Sequence, residues 1–172
     1  MIRKITFIFS IAVSFTSCQT AVKEAIISIT PVSQEMMETA VIYEANIRQY
    51  SPEGTFNAFT KDISELKKLG VKIIWLMPIN PISEVKRKAT DGSFTSDIID
   101  ETERKKYLGS YYSVSDYKEI NQEFGSKEDF KNLIETAHKN EIYVIIDWVP
   151  NHTGWDHPWI FAHPEWYTQN EN

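Results

Sequence analysis

Several features that would mark common functions are missing or scarce in this chain. One cysteine in 172 residues excludes an intramolecular disulfide framework and a cysteine-built zinc cluster. Positive charge is not in excess: 18 Lys plus Arg stand against 24 Asp plus Glu, a formal −6. A nucleic-acid scaffold needs the opposite balance, so no nucleic-acid partner is expected. Glycine is scarce, with six residues, and no Gly-x-Gly-x-x-Gly follows any apolar run, which weakens a dinucleotide-binding fold. The apolar stretch Ile5 to Phe15 covers eleven residues, too few to cross a bilayer. What remains is 42% hydrophobic and 13% aromatic, with five Trp. That is the composition of a folded globular protein.

The start of the chain reads as an address. Arg3 and Lys4 precede the apolar stretch, and small residues follow at Ser17 and Cys18. This order of basic start, short hydrophobic run and small-residue cleavage point is that of a secretory signal peptide over 1–17. Phe15-Thr16-Ser17-Cys18 resembles a bacterial lipoprotein signal, in which the cysteine becomes the lipid-modified first residue. Phe15 and Thr16 depart from its usual leucine and small residue. A lipid at Cys18 would anchor the protein to a membrane without spanning it. The expected location is then the bacterial periplasm or cell surface. Cleavage after Ser17 removes two basic and no acidic residues, so the formal charge falls from −6 to −8. Glu, Ser, Thr and Gln dominate from Gln19 to Glu38, with Ile26 to Ile29 the only apolar stretch, and residues 18–38 read as a tether. The folded part is expected over 39–172.

Two strand-and-helix units recur there. Ala40 to Tyr43 is a short apolar run leading into polar Glu44 and Asn46. Thr55 can cap a helix with apolar positions at Phe56, Phe59, Ile63 and Leu66, which Leu69-Gly70 would end. Val71 to Met77 is an apolar strand interrupted only by Lys72. Later, Ser126 and Asp129 have capping-box spacing, and Phe130, Leu133, Ile134 and Ala137 line one helix face. Ile142 to Ile146 is again an apolar strand. Helix followed by wholly apolar strand, twice, predicts a parallel sheet buried on both faces, either an open doubly wound sheet or a β/α barrel. Ser83 to Lys106, dense in both signs of charge, reads as an exposed excursion between the units.

Ligands of parallel sheets bind at the carboxyl ends of strands. Asp147 directly follows the last apolar run, with Asn151 and His152 on the loop beyond. Asp at a strand end is equally a turn-capping residue, so these positions alone leave function open. Tyr111, Tyr112 and Tyr117 offer aromatic faces suited to sugar rings, or simply filling between helix and sheet. His152, His157 and His163 fall at intervals that match no zinc pattern.

Taken together, Gly109 to Tyr117, Phe124 to Phe130, Ala137-His138 and Asp147-Trp-Val-Pro-Asn-His152 resemble the α-amylase family of glycoside hydrolases. Leu69-Gly70-Val71 and Ile74 to Ile79 match as well, and the likeness runs from about Val41 to Trp166. It implies the N-terminal portion, about three strands, of a (β/α)8 TIM barrel. It implies that Tyr112 stacks on the sugar beside the scissile bond, that His152 hydrogen-bonds that sugar, and that Asp147 is a supporting residue. Asn151 corresponds to a calcium ligand, which makes calcium the expected cofactor. The family cleaves α-glucosidic bonds with retention through a carboxylate nucleophile, an acid and a third stabilising carboxylate. These come from the fourth, fifth and seventh strands, and nothing after Asp147 matches them. Asp156 and Glu165 are carboxylates without the corresponding motifs.

The expected parent acts on starch, maltodextrin or a related α-glucan, while the chain itself should be inactive. Alternatives are an α-glucan transglycosylase of the same family and a non-catalytic carbohydrate-binding lipoprotein. Signal and tether removed, about 130 residues remain, against roughly 250 for a closed eight-fold barrel. The chain therefore reads as part of a larger domain.

Overall fold

A computed structural model of the chain describes residues 30–170. The signal segment, Cys18 and the first part of the tether lie outside the described residues. Within it, Ser33 accepts a hydrogen bond from the Met36 amide and caps a short helix, α1 (Gln34–Thr39), none of whose residues is buried.

Three strands, β1 (Val41–Ala45), β2 (Val71–Leu76) and β3 (Tyr143–Ile146), form a parallel sheet in the order β1-β2-β3. Glu44, Trp75 and Ile145 share one row of the register, and Ala45, Leu76 and Ile146 the next. Between β1 and β2 run α2 (Ile47–Tyr50), α3 (Phe56–Thr60) and α4 (Ile63–Lys68). Between β2 and β3 run α5 (Glu101–Arg104) and α6 (Lys127–Lys139). A last short helix, α7 (Trp159–Ala162), follows β3. Three parallel strands in sequence order with helices between them are the arrangement that the N-terminal portion of a (β/α)8 barrel requires.

The single helix expected from Phe56 to Leu66 is two. Thr55 caps α3 through the Ala58 amide, and the chain turns at Lys61-Asp62 before α4. Phe56, Phe59, Ile63 and Leu66 are nonetheless all buried, because the break leaves the apolar face continuous. The capping box of α6 is complete. The Ser126 hydroxyl accepts from the Asp129 amide, and Asp129 accepts from the Ser126 amide at 2.8 Å. Leu133 and Ala137 of α6 join Phe56 and Phe59, Ile74 and Leu76 in one core.

Burial on both faces of the sheet is not observed. Strand residues alternate sides, and the helices cover only the side carrying Ala45, Ile74 and Leu76. On the other side Ile42, Trp75 and Ile145 are 52%, 37% and 44% exposed. Apolar strands here are built for two covered faces, and the described residues supply a cover for one. The same holds at the edge, where, among the described residues, β3 pairs only with β2 and Ile146 stays 43% exposed. No helix of the described residues is long and apolar enough to cross a membrane.

The charged excursion is closed at its base rather than freely solvated. Ile82 pairs with Val114 in an isolated antiparallel bridge, and the Ser83 amide donates to the Ser113 carbonyl at 2.7 Å. Ser83 and Thr95 are buried, whereas Ile99 at the outer end is 97% exposed.

Candidate functional site

The three strands deliver their last residues side by side. The Met77 amide donates to the Ala45 carbonyl at 3.0 Å, and the Asp147 amide to the Leu76 carbonyl at 2.8 Å. The ladder thus extends one residue past β2 and past β3 and fixes Asp147 at the sheet's carboxyl end. Its side chain meets the Gly109 to Tyr117 segment: the Tyr112 hydroxyl donates to Asp147 Oδ2 at 2.8 Å. That hydrogen bond, with some burial and the carboxylate charges of Asp147 and Glu44, raises the Tyr112 phenol above its ordinary pKa. Losing the proton would break the bond and place two negative charges together.

His152 approaches the same tyrosine from the other side. Its Nε2 lies 3.0 Å from the Tyr112 carbonyl and its Nδ1 lies 2.9 Å from Asn151 Oδ1. Both partners are oxygens, and a neutral imidazole has one N–H. A neutral ring whose Nε2–H donates to the Tyr112 carbonyl leaves Nδ1 to accept from the Asn151 amide, whose Oδ1 then points away from the ring. Tyr112, Asp147, Asn151 and His152 are therefore one hydrogen-bonded chain.

Tyr117 holds the loop that carries them. Its hydroxyl is 2.7 Å from the carbonyls of both Val149 and His152 and shares its proton between them. Its ring packs against Trp148, His157 and Trp159. Burial raises this phenol as well. Tyr117 belongs to the segment singled out from sequence, but nothing in the spacing identified it as the brace for the Asp147–His152 loop.

Asp156 and Glu165 form no catalytic pair with Asp147. Asp156 Oδ2 accepts from the Glu84 amide at 2.8 Å and the Val85 amide at 3.3 Å. Burial of its carboxyl works against ionisation, yet these backbone amides outweigh it and hold the pKa low. Glu165 pairs with His163 at 3.2 Å. Asp156 thus joins the loop after β3 to the excursion after β2, and Lys86 reinforces the junction from 3.4 Å over the Trp155 ring.

The histidines do not gather. His157 is buried and its Nδ1 accepts from the Trp159 amide at 3.1 Å, while the His163 ring stacks on Trp166 with centroids 3.9 Å apart. Among the described residues no three His, Cys, Asp or Glu side chains come together as a metal cage. Asn151 offers calcium one side-chain oxygen, whereas the ion takes six to eight. The residues described do not by themselves fit it.

The sequence model described as alpha amylase, catalytic domain, matches residues 14–171. The chain belongs to the α-amylase family. It is 32% identical over 118 residues to alpha-1,4-glucan:maltose-1-phosphate maltosyltransferase of Picrophilus torridus, covering 66% of this chain and 18% of that protein. With alpha-amylase 3 of Dictyoglomus thermophilum it shares 31% identity over 130 residues, covering 73% of this chain and 21% of the relative. Among solved structures, an alpha-amylase from Lactobacillus plantarum superposes with a TM-score of 0.68 at 38% identity. That match covers 80% of this chain and 29% of the other. The α-amylase-family chain described here thus spans about a fifth of the curated relatives it matches and under a third of this solved one.

Proposed function

We propose that this chain forms one wall of the substrate cleft in an α-amylase-type enzyme that cleaves α-glucosidic bonds in starch, maltodextrin or a related α-glucan with retention. The observation that carries this reading is the Tyr112–Asp147 hydrogen bond at the strand ends, with His152 on the Tyr112 carbonyl. Asp147 orients the tyrosine, whose ring face receives the sugar beside the scissile bond, and His152 hydrogen-bonds the same sugar. Holding these groups before substrate arrives removes their ordering cost from the reaction. The nucleophile, acid and third carboxylate are contributed from outside this chain. Purified protein of 172 residues should therefore release no reducing sugar from soluble starch or maltoheptaose above a heat-killed control. Turnover above that control would refute the reading.

Transglycosylation is the second reading, favoured by the match to a maltosyltransferase. A sugar acceptor then replaces water, while the roles of Tyr112, His152 and Asp147 stay the same. Oligosaccharide products longer than the substrate, from the parent enzyme, would decide for it. A carbohydrate-binding lipoprotein without catalysis would instead show affinity for maltooligosaccharides by this chain alone.

The sequence around Cys18 supports a further proposal: that the cysteine is lipid-modified and anchors the protein to a bacterial membrane, exposed to the periplasm or cell surface. The intact mass of detergent-extracted protein tests it, and an unmodified Cys18 or cleavage elsewhere sinks it. Calcium enters no step. Asn151 would be this chain's contribution to such a site, and the ion would supply rigidity between loops.

A further inference from the structure

Tyr112 is presented to Asp147 by a stretch that is neither helix nor strand, since Tyr107 to Ser113 lies in no regular element. Two guanidinium groups hold it instead. Arg87 Nη1 donates to the Tyr107 carbonyl at 3.1 Å, while Arg48 donates from Nη2 to the Leu108 carbonyl at 3.4 Å and from Nη1 to the Gly109 carbonyl at 3.3 Å. Three successive carbonyls are thus each received by an arginine. Arg87 also binds the other end of the excursion, through Nε to the Ser83 carbonyl and Nη2 to the Ile82 carbonyl. It staples the loop shut at the point where the chain turns toward Tyr112.

The neighbouring residues are fitted to these two side chains. Gly109 has φ +77, and a Cβ there would stand 2.9 Å from both Arg87 Nε and Ile82 Cγ2. The Arg48 guanidinium lies over the Tyr111 ring, its carbon 4.4 Å from the centroid, and the Arg48 side chain is only 15% exposed. The Tyr111 hydroxyl donates to Asn46 Oδ1 at 2.9 Å. Asn46 occupies the N-cap position of α2 yet makes no capping hydrogen bond. Asparagine at that position ordinarily accepts from the helix amides, and here its oxygen serves Tyr111. Arg48 Nε is buried without a partner, an unfavourable placement for a residue that only decorates a surface.

We infer that Arg48 and Arg87 are positioning residues for Tyr112, fixing the Tyr107–Gly109 backbone so that the tyrosine ring stands where its hydroxyl meets Asp147 and its face meets a sugar. The inference rests on the proposed role of Tyr112, and its test has an arm that does not. Lysine retains the charge of arginine but lacks the planar fork that reaches two carbonyls at once. In the 172-residue protein, tyrosines labelled with 13C at Cζ would be titrated by NMR, with Tyr112 assigned by its loss in Tyr112→Phe. The Tyr112 phenol should titrate above its ordinary range in the parent sequence and move back down in Arg48→Lys and, separately, in Arg87→Lys. Both variants would be checked for a native melting transition. An unmoved Tyr112 titration in folded Arg48→Lys and Arg87→Lys overturns the inference.

In the parent enzyme, Arg48→Lys should lower kcat/KM for maltoheptaose by about 10- to 100-fold. It should have almost no further effect in a Tyr112→Ala background, since both changes remove the same contact. Additive losses would mean that Arg48 acts by another route and would overturn it. If Tyr112→Ala alone leaves kcat/KM unchanged, the sugar-contact reading fails, while the titration still judges the arginines.

Discussion

Gly154 sits where the loop after β3 presses on the excursion after β2, and replacing it by alanine tests how rigid that junction is. A Cβ at Gly154 would lie 2.4 Å from Ser83 Cβ and 3.0 Å from both Ser83 Oγ and the Val114 carbonyl. Neither neighbour is free to yield. Ser83 is 2% exposed, with its amide on the Ser113 carbonyl and its hydroxyl on the Val85 carbonyl. The Val114 carbonyl accepts the Gly154 amide itself at 2.6 Å. Overpacking of this kind costs about 1–3 kcal/mol. If the loop swings outward instead, the Gly154 and Asp156 hydrogen bonds are strained, at about 1 kcal/mol each. Either route gives about 1–3 kcal/mol, or about 3–10 °C in Tm for a chain of this size. Circular dichroism melts of Gly154→Ala, Ser83→Gly and the double variant read it out. The double variant should be more stable than the sum of the single losses, because Ser83→Gly removes the atoms that clash. A Gly154→Ala melt within 1 °C of the parent, or strictly additive losses, would refute the reasoning.

His157 predicts a pH dependence of stability. Burial holds its pKa below the ordinary value, outweighing the attraction of Asp116 and Asp156. The unfolded chain therefore takes the proton first as pH falls. Stability is full above about 6.5, the unfolded value, and is lost as pH drops from there toward the lower folded value. In urea titrations from pH 8 to 5, His157→Asn, which keeps an acceptor near the Trp159 amide, should lose stability less steeply than the parent. Parallel curves would contradict this. Ser126→Ala removes the hydroxyl from the capping box of α6 and should cost about 1 kcal/mol of stability. Ser126→Asp, which restores an acceptor for the Asp129 amide, should recover part of it, and a Ser126→Ala melt equal to the parent's would count against the cap.

Much of the sheet was legible because its strands are apolar without interruption and its helices carry period-3.6 faces. Val71 to Leu76 and Tyr143 to Ile146 fell where their runs lie, and Ser126 capped α6 as its spacing demanded. The break at Lys61-Asp62 left no mark, since an apolar face at Phe56, Phe59, Ile63 and Leu66 is the same for one helix or two. Burial was overread at Trp75 and Ile145 because composition reports which surfaces suit a cover, not whether the described chain supplies it. At the site, the Asp147, Asn151 and His152 cluster follows from one loop after one strand, so its members were near each other from the start. Tyr112, 35 residues away from Asp147, was reached through family likeness rather than periodicity. Arg48 was missed altogether. A single basic residue after a short strand has no local signal, and its partners lie about 60 positions on.

What positions this site is therefore mostly loop against loop. The strands place Asp147, but Tyr112 owes its location to Arg48 from α2, the short helix after β1, and to Arg87 from the excursion after β2. Loops braced in this way hold polar groups that a strand's alternating geometry cannot bring to one point, because strand side chains leave the sheet at fixed spacing. The arrangement also makes the base of the excursion part of the site's architecture while its tip, around Ile99, stays free to vary. Replacing residues 96–99 by a short Gly-Ser link should accordingly leave the Tyr112 phenol titrating where it does in the parent. Cutting back to Ser83 and Tyr107, which removes Arg87, should move it. The same titration in both cases would mean that Tyr112 is held by Asp147 alone, and the excursion would then be an ornament on the fold.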